Sequence, residues 1–425
     1  VLHVVWEYPP VIYGGLARHA EDLARAQHRA GWSVGVVTSA EDITDPGRRV
    51  PAGIRVRREI EVLRARRAHP RVPWSDLLGA AAQLDDTLAE AALAHLARPG
   101  AERPSVVHAH DWIGARAART VAGRIGARLV LTVHATEFGR RQGGIGPEAD
   151  GGLPAAVHAQ ELLAVAAADA VIVCSEAMRA EVCDALRADP GRVHVIPNAV
   201  DVAAWRAGPA AVRAARRHWL SPSGTGPLIA AAGRIEWEKG FSTIVRALPA
   251  LRQVHPQLRL VLAGRGSYTP TLQALAAELG VGDLISLPGW LARRDLAALY
   301  AAADVVVVPS RYEPSGLVAR EAQAAGATVV AARTGGLVET VDDGASGLLI
   351  EVGDVHGLRD TISRLIAQPA RAHLLAQAGT LGVRGWTWTD VADRTLGVYT
   401  GAPEGADPAA GGEIASDRIP AMIAP

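Results

Sequence analysis

The strongest constraint on this chain is a rhythm that runs twice. Short apolar runs alternate with amphipathic stretches up to about residue 200, stop, and start again. In the first half, residues 1–6, 34–38, 106–109, 129–133, 170–174 and 193–197 read as buried strands, and residues 16–30, 115–125 and 155–167 as helices. Breaker-rich segments then interrupt the pattern, at Ala207-Gly208-Pro209 and from Ser221 to Pro227. In the second half, residues 228–232, 258–263, 285–287, 305–309, 328–331 and 347–350 read as strands. Helices fit at 241–253, 270–279, 293–301, 317–325 and 355–367. Strand-helix alternation builds a parallel sheet covered by helices on both faces. The expectation is therefore α/β, with two doubly wound Rossmann-like domains facing each other across a cleft.

The boundaries expected are residues 1–200 for an N-terminal, acceptor-binding domain and 201–386 for a C-terminal, donor-binding domain. A last helix at 387–400 should pack back on the N-terminal domain, and 401–425, rich in Gly, Ala and Pro, reads as a disordered tail. With a formal net charge of zero, no global field draws the chain to nucleic acid. Two cysteines without CxxC or Cys/His spacing make neither a disulfide framework nor a zinc site, which fits a cytoplasmic protein. The first residues turn polar too quickly for a signal peptide. No run approaches the roughly 18 apolar residues of a membrane helix. Arg55, Arg57, Arg58, Arg64, Arg66, Arg67 and Arg71 form a basic stretch. It reads as a solvated surface loop, with a peripheral contact to an anionic acceptor or lipid headgroup as the alternative.

Chemistry concentrates where expected strands end. Lys239 is the only lysine; the other 43 of the 44 basic residues are arginine. An ammonium is a compact point charge and a guanidinium a rigid planar fork, so a retained lysine points to a phosphate. It lies in Gly233-Arg234-Ile235-Glu236-Trp237-Glu238-Lys239-Gly240, just after an apolar run. Near the start, Tyr13-Gly14-Gly15-Leu16 joins the first strand to the first helix, where backbone N–H groups and the dipole favour an anion. The segment is not GxGxxG and lacks a clear acid about 20 residues on, so a dinucleotide enzyme is disfavoured. Farther along, Pro309-Ser310-Arg311-Tyr312-Glu313-Pro314-Ser315-Gly316-Leu317 leads into a helix bearing Glu321. Both carboxylates would sit at a strand's carboxyl end, suited to vicinal hydroxyls of a sugar or ribose. His134 follows the strand 129–133 directly, and His110-Asp111-Trp112 ends another.

Taken together, Glu313-x7-Glu321, Arg234-x4-Lys239, the early Gly-Gly turn and Thr132-Val133-His134 resemble glycosyltransferase family 4, from Trp6 to about residue 399. The resemblance implies the two-domain architecture called GT-B and a retaining hexosyltransferase. It places Arg234 and Lys239 on the donor diphosphate, Glu321 on the ribose and Glu313 near the sugar hydroxyls. It makes Ser315, Gly316 and Leu317 backbone donors, with Gly15 the N-domain amide that meets the diphosphate and His134 next to the transferred sugar. Tyr13, His110, Asp111 and Glu137 fall on the acceptor rim. The chain has no Asp-x-Asp pair, so the leaving diphosphate is expected to be neutralised by cationic side chains and helix N-termini rather than a metal. No cofactor is implied beyond the donor itself.

Trp6-Glu7-Tyr8-Pro9-Pro10 and His134-Ala135-Thr136-Glu137 resemble the actinobacterial glycogen-synthase-like branch. That suggests UDP- or ADP-glucose as donor and an α-glucan or other carbohydrate as acceptor. A small-molecule natural product or a lipid acceptor is the alternative, since enzymes on those acceptors share the C-domain motifs. A nucleotide-sugar epimerase of GT-B shape, needing no acceptor, is the alternative from another class, and an inactive nucleotide-sugar-binding module a third.

Overall fold

Most strands are short, apolar and hidden on both faces, as parallel strands under two helix layers must be; residues 53–57 and 285–289, at sheet edges, are the more exposed ones. A computed structural model describes residues 1–41, 50–68, 71–146, 149–220 and 225–401. The first sheet contains β1 (Leu2–Val4), β2 (Gly35–Ser39), β3 (Gly53–Arg57), β4 (Ile60–Ala65), β5 (Val106–His110), β6 (Arg128–Val133), β7 (Ala170–Val173) and β8 (Val193–Val195). Its order is β3-β4-β2-β1-β5-β6-β7-β8, parallel except for the β3/β4 pair. The second sheet contains β9 (Leu228–Ala232), β10 (Arg259–Ala263), β11 (Ile285–Gly289), β12 (Val305–Val308), β13 (Val329–Ala332) and β14 (Leu348–Ile350). It runs β11-β10-β9-β12-β13-β14, and every pair in it is parallel.

This topology places the ligand site. In a doubly wound sheet the chain leaves the central strand first to one side and then to the other, opening a crevice at the carboxyl ends where the direction reverses. The reversals fall between β1 and β5 and between β9 and β12. The loops after those four strands carry Tyr13–Gly15, Asp111–Trp112, Arg234–Lys239 and Glu313–Leu317. The chain alternation alone therefore brings four separated motifs toward one cleft.

The helix Trp388–Thr400 returns to the first domain. Val391, Ala392, Val398 and Tyr399 are buried with Leu23 and Ala26 of the helix Gly15–Arg29 and with Val130 and Ile172 of the sheet. A reciprocal cap starts it: Thr387 accepts from the Asp390 amide, and the Asp390 carboxylate accepts from the Thr387 amide.

The basic stretch is solvated only in part and is not a loop throughout: Arg55, Arg58, Arg66 and Arg71 are exposed. Residues 53–65 form the antiparallel β3/β4 ribbon at one sheet edge. Arg64 is buried and donates to the carbonyls of Tyr8, Pro9 and Ser39. Arg67 is buried against Glu41 at 2.7 Å and lies over the Trp74 ring. Buried partners explain arginines that charge density alone assigns to solvent, because a guanidinium inside a fold must be fully paired. The helices Leu77–Leu96, Glu176–Ala185, Pro209–Trp219 and Pro369–Gly382 fall outside the stretches whose periodicity predicts helix. Pro209, a breaker by composition, sits in the first turn of its helix, where a proline lacks nothing. Apart from Gly401, the tail expected to be disordered lies outside the described residues. Among the described residues, no helix is long and apolar enough to cross a membrane.

Candidate active site

A cavity of about 540 Å³ lies between the two domains. Two helix N-termini meet across it. The helix Gly15–Arg29 begins after Gly14, where the Glu7 carboxylate accepts from the amides of Tyr13, Gly14 and, in the first turn, Ala17, and the helix Leu317–Ala324 begins after Gly316 with no side-chain cap. A Cβ on Gly15 would lie 3.4 Å from Leu317 Cδ2, so the two starts face each other closely. First-turn N–H groups and the positive ends of two helices favour an anion.

Arg234 and Lys239 line the same cavity. Lys239 Nζ donates to Glu313 Oε2 at 2.8 Å, with both side chains mostly buried. Burial pushes the Glu313 carboxyl up, but the Lys239 charge and hydrogen bond, with donation from the Gly316 amide, outweigh it and hold it below the usual range. Arg234 pairs with Glu238 at 3.0 Å and lies over the Tyr13 ring. Glu321 Oε1 accepts from Arg18 Nη1 of the first domain at 3.0 Å. Burial raises its carboxyl to about 7, opposed by Arg18 and Arg293.

On the N-domain side, His134 lines the cavity, with Asp111, Glu137 and Tyr13 beside it. The His134 amide donates to Asp111 Oδ1 at 2.7 Å. Burial lifts the Asp111 carboxyl to about 6 against the opposing charge of Arg140. Glu137 accepts from Arg141 at 2.9 Å.

Two site expectations are corrected. His110 is not on the rim: it is fully buried behind His134, because it ends β5 with its side chain inside the sheet-helix layer. The Gly316 amide does not face the cavity as a free donor, since it is turned to Glu313 Oε1 at 3.3 Å. Ser315 and Leu317 do line the cavity.

Sequence spacing does not give several residues of the site the partners they have in the structure. Glu7 is 2% exposed and accepts from the Tyr13 amide and, at 3.3 Å, from the Gly14 amide. Burial raises its carboxyl to about 7. Arg18 and Trp290 meet 5.2 Å apart beside Glu321. Asn198 links the domains by donating to Ser315 Oγ at 2.8 Å. Helical periodicity marks Arg18 only as a surface position, and nothing in a single sequence pairs it with a residue about 300 positions away.

Two histidine triads, His3/His108/His110 and His19/His110/His134, each bring ring nitrogens within 4.8 Å of one another. The nitrogens of His3, His110 and His134 are paired with each other instead, at 3.0 and 3.1 Å.

Two facing Rossmann-like domains, with two helix starts, an Arg-Lys pair and two carboxylates in the cleft, define a glycosyltransferase of the GT-B fold. Residues 13–204 match the model described as Glycosyltransferase Family 4, and residues 214–381 the model described as Glycosyl transferases group 1. The glycogen synthase of Mycobacterium tuberculosis is 36% identical over 411 residues, covering 95% of each chain. The D-inositol 3-phosphate glycosyltransferase 1 of Catenulispora acidiphila is 37% identical over 310 residues, covering 71% of this chain and 73% of that one. Among solved structures, sucrose-phosphate synthase from Thermosynechococcus elongatus superposes with a TM-score of 0.79 at 26% identity, covering 94% and 98% of the two chains. The chain belongs to glycosyltransferase family 4.

Proposed function

We propose that this enzyme transfers glucose from UDP- or ADP-glucose to a neutral α-glucan, with retention of anomeric configuration and without a metal. The observation that carries the donor half is the pair of helix starts facing each other beside Arg234 and Lys239. A diphosphate bound there has two dipoles and two cations to hold the charge that grows as the glycosidic bond breaks. In this reading Glu313, still paired with Lys239, accepts from sugar hydroxyls with its remaining lone pairs, and Glu321 exchanges Arg18 for the ribose hydroxyls. A retaining glycosidase places a nucleophilic carboxylate about 5 Å from its acid. Here Glu313 is committed to Lys239, which favours front-face attack with the departing phosphate oxygen taking the acceptor proton. The protein then contributes position and charge.

The acceptor half rests on the N-domain wall. Trp6, Tyr13, Trp74 and Trp112 line it, giving flat faces for sugar rings and edges for hydroxyls. The cations there are already balanced: Arg140 faces Asp111, Glu161 and Glu137, and Arg141 pairs with Glu137 and Asp150. A phosphorylated acceptor would find no spare counter-charge on these two arginines, whereas a neutral glycan needs none. The glycogen synthase relative agrees with this choice.

The test offers UDP-, ADP- and GDP-glucose with maltooligosaccharide, with inositol phosphate and with no acceptor, and reads product by NMR, including its anomeric configuration. Elongation with an α-linkage, persisting in EDTA, is the expected result. Transfer only to inositol phosphate would overturn the acceptor, turnover of donor to an isomeric nucleotide sugar without acceptor would indicate an epimerase, and loss of activity in chelator restored by manganese would overturn metal independence.

A further inference from the structure

A line of buried hydrogen bonds runs from the last helix to the cavity. Tyr399 Oη meets His108 Nδ1 at 2.6 Å, and Gln27 Nε2 donates to Tyr399 Oη at 3.0 Å. Gln27 Oε1 meets His3 Nε2 at 2.7 Å, His3 Nδ1 meets His110 Nε2 at 3.0 Å, and His110 Nδ1 meets His134 Nε2 at 3.1 Å. His3, His108 and His110 are fully buried and Gln27 is 1% exposed. Burial, the largest influence in each case, lowers the pKa of His3 and His134 to about 3 and that of His108 and His110 well below the ordinary value. Every ring is therefore neutral at physiological pH and carries one N–H and one lone pair.

In such a line no proton position is independent. Tyr399 Oη accepts from Gln27 Nε2, so its single hydrogen goes to His108 Nδ1, and His108 keeps its own proton on Nε2, facing Thr132 Oγ1 at 2.7 Å. The amide that gives its nitrogen to Tyr399 turns its oxygen toward His3. An amide oxygen only accepts, so His3 carries its proton on Nε2 and offers a lone pair at Nδ1. His110 must donate from Nε2, which leaves its Nδ1 a lone pair, and His134 must donate from Nε2 in turn. The remaining nitrogen of His134, Nδ1, is left with a lone pair and has no hydrogen-bond partner within the protein among the described residues, while His134 lines the cavity.

We propose that Gln27, held by Tyr399, sets the tautomer of His134 through His3 and His110, so that His134 presents a hydrogen-bond acceptor to a substrate hydroxyl. Gln27, His3 and His110 are positioning residues, and the functional consequence rests on the transfer reaction proposed above. Reversing the Gln27 amide would reverse every proton and turn an N–H toward the substrate. The line also gives the returning C-terminal helix a role at the site: its Tyr399 is the group that selects one amide orientation of the two.

The experiment is long-range ¹H–¹⁵N correlation NMR of the full chain labelled at histidine, without substrate, which reports which ring nitrogen carries each proton. His134 should show a single neutral tautomer protonated at Nε2 from about pH 6 to about pH 9. Gln27→Met removes both amide contacts, and Tyr399→Phe removes only the group that orients the amide; the second keeps the test intact if the first does not fold. Both should yield a mixture of His134 tautomers and a fall in transfer of about three- to tenfold, the loss of one hydrogen bond. A proton on Nδ1 of His134 in the wild type, or an unchanged Nε2–H tautomer in both variants, overturns the proposal. The tautomer is read on the free protein, so the absence of glucosyl transfer would count against the reaction and not against the relay.

Discussion

Lys239 faces an acid as well as the space for a phosphate, and this changes what its removal does. Lys239→Ala should lower turnover by about 10²–10³, since the ammonium meets charge that is largest in the transition state. It should also destabilise the fold, because Glu313 loses its counter-ion in a buried site. Glu313 has a folded pKa below its ordinary value of 4.5, so the stability from this pair is present above about pH 4.5 and lost as pH falls through the folded value. The stability difference between wild type and Lys239→Ala, measured by denaturant titration, should therefore shrink on acidification; a constant difference would mean the pair is not coupled. Lys239→Arg should keep the charge yet turn over slowly, since a planar fork does not fill a point-charge site. Glu7 gives a second pH-dependent outcome. Its carboxyl, raised to about 7, sits beside the Gly14–Gly15 start where the diphosphate is expected. Below about pH 7 it is neutral, and above it the carboxylate repels an incoming anion. Glu7→Gln should tighten nucleotide diphosphate binding relative to wild type at about pH 8 and have little effect at about pH 6, as read by calorimetry.

At the scale of elements, the site depends on turns that only glycine can make. Gly316 has φ +70°, and a Cβ there would lie 2.7 Å from Thr340 Oγ1 and 3.2 Å from the Gly336 carbonyl oxygen. This turn sets the start of the helix Leu317–Ala324 and aims Glu313 and Ser315 into the cleft. Gly316→Ala should cost about 2 kcal/mol in a denaturant melt, through the left-handed backbone and the contact with Thr340. Transfer should fall further than stability predicts, because the loop moves with the helix start. A variant as stable and as active as wild type would show that the turn relaxes freely. The β3/β4 ribbon makes the opposite point: its arginines look solvated, but Arg64 caps carbonyls of the loop after β1 that carries Glu7.

At the scale of the whole molecule, the cleft exists because the two domains are bonded across it. Tyr312 of the second domain donates to Glu181 at 2.8 Å and accepts from the Thr136 amide at 3.1 Å. Glu339 caps a helix of the other domain, accepting from the Glu176 and Ala177 amides at 3.1 Å each. Arg18–Glu321 closes the end where the ribose is proposed to bind. The double variant Tyr312→Phe, Glu339→Ala removes contacts from one side of this hinge. It should raise the radius of gyration in small-angle scattering and raise KM for the donor, with both domains still folded by circular dichroism. An unchanged scattering curve would show that Asn198–Ser315 and Arg18–Glu321 suffice to hold the cleft.

The repeated strand-helix alternation determined the second sheet and six of the eight strands of the first, all but the β3/β4 ribbon, because apolar runs of that length are stable only under two helix layers, and it put Gly15, Arg234, Lys239, Glu313 and Glu321 at or just after strand ends. The local signal failed where a residue's partner is distant. The partnership of Arg18 with Glu321, the burial of Arg64 and Arg67, the raised carboxyl of Glu7, and the retreat of His110 from the cleft into a hydrogen-bonded line all depend on which strands become neighbours. Sequence spacing carries period and polarity, and so reports which face of an element is buried. Desolvation and charge pairing act over a few ångströms between residues far apart in the chain, and those distances come into being only when the two domains close on each other.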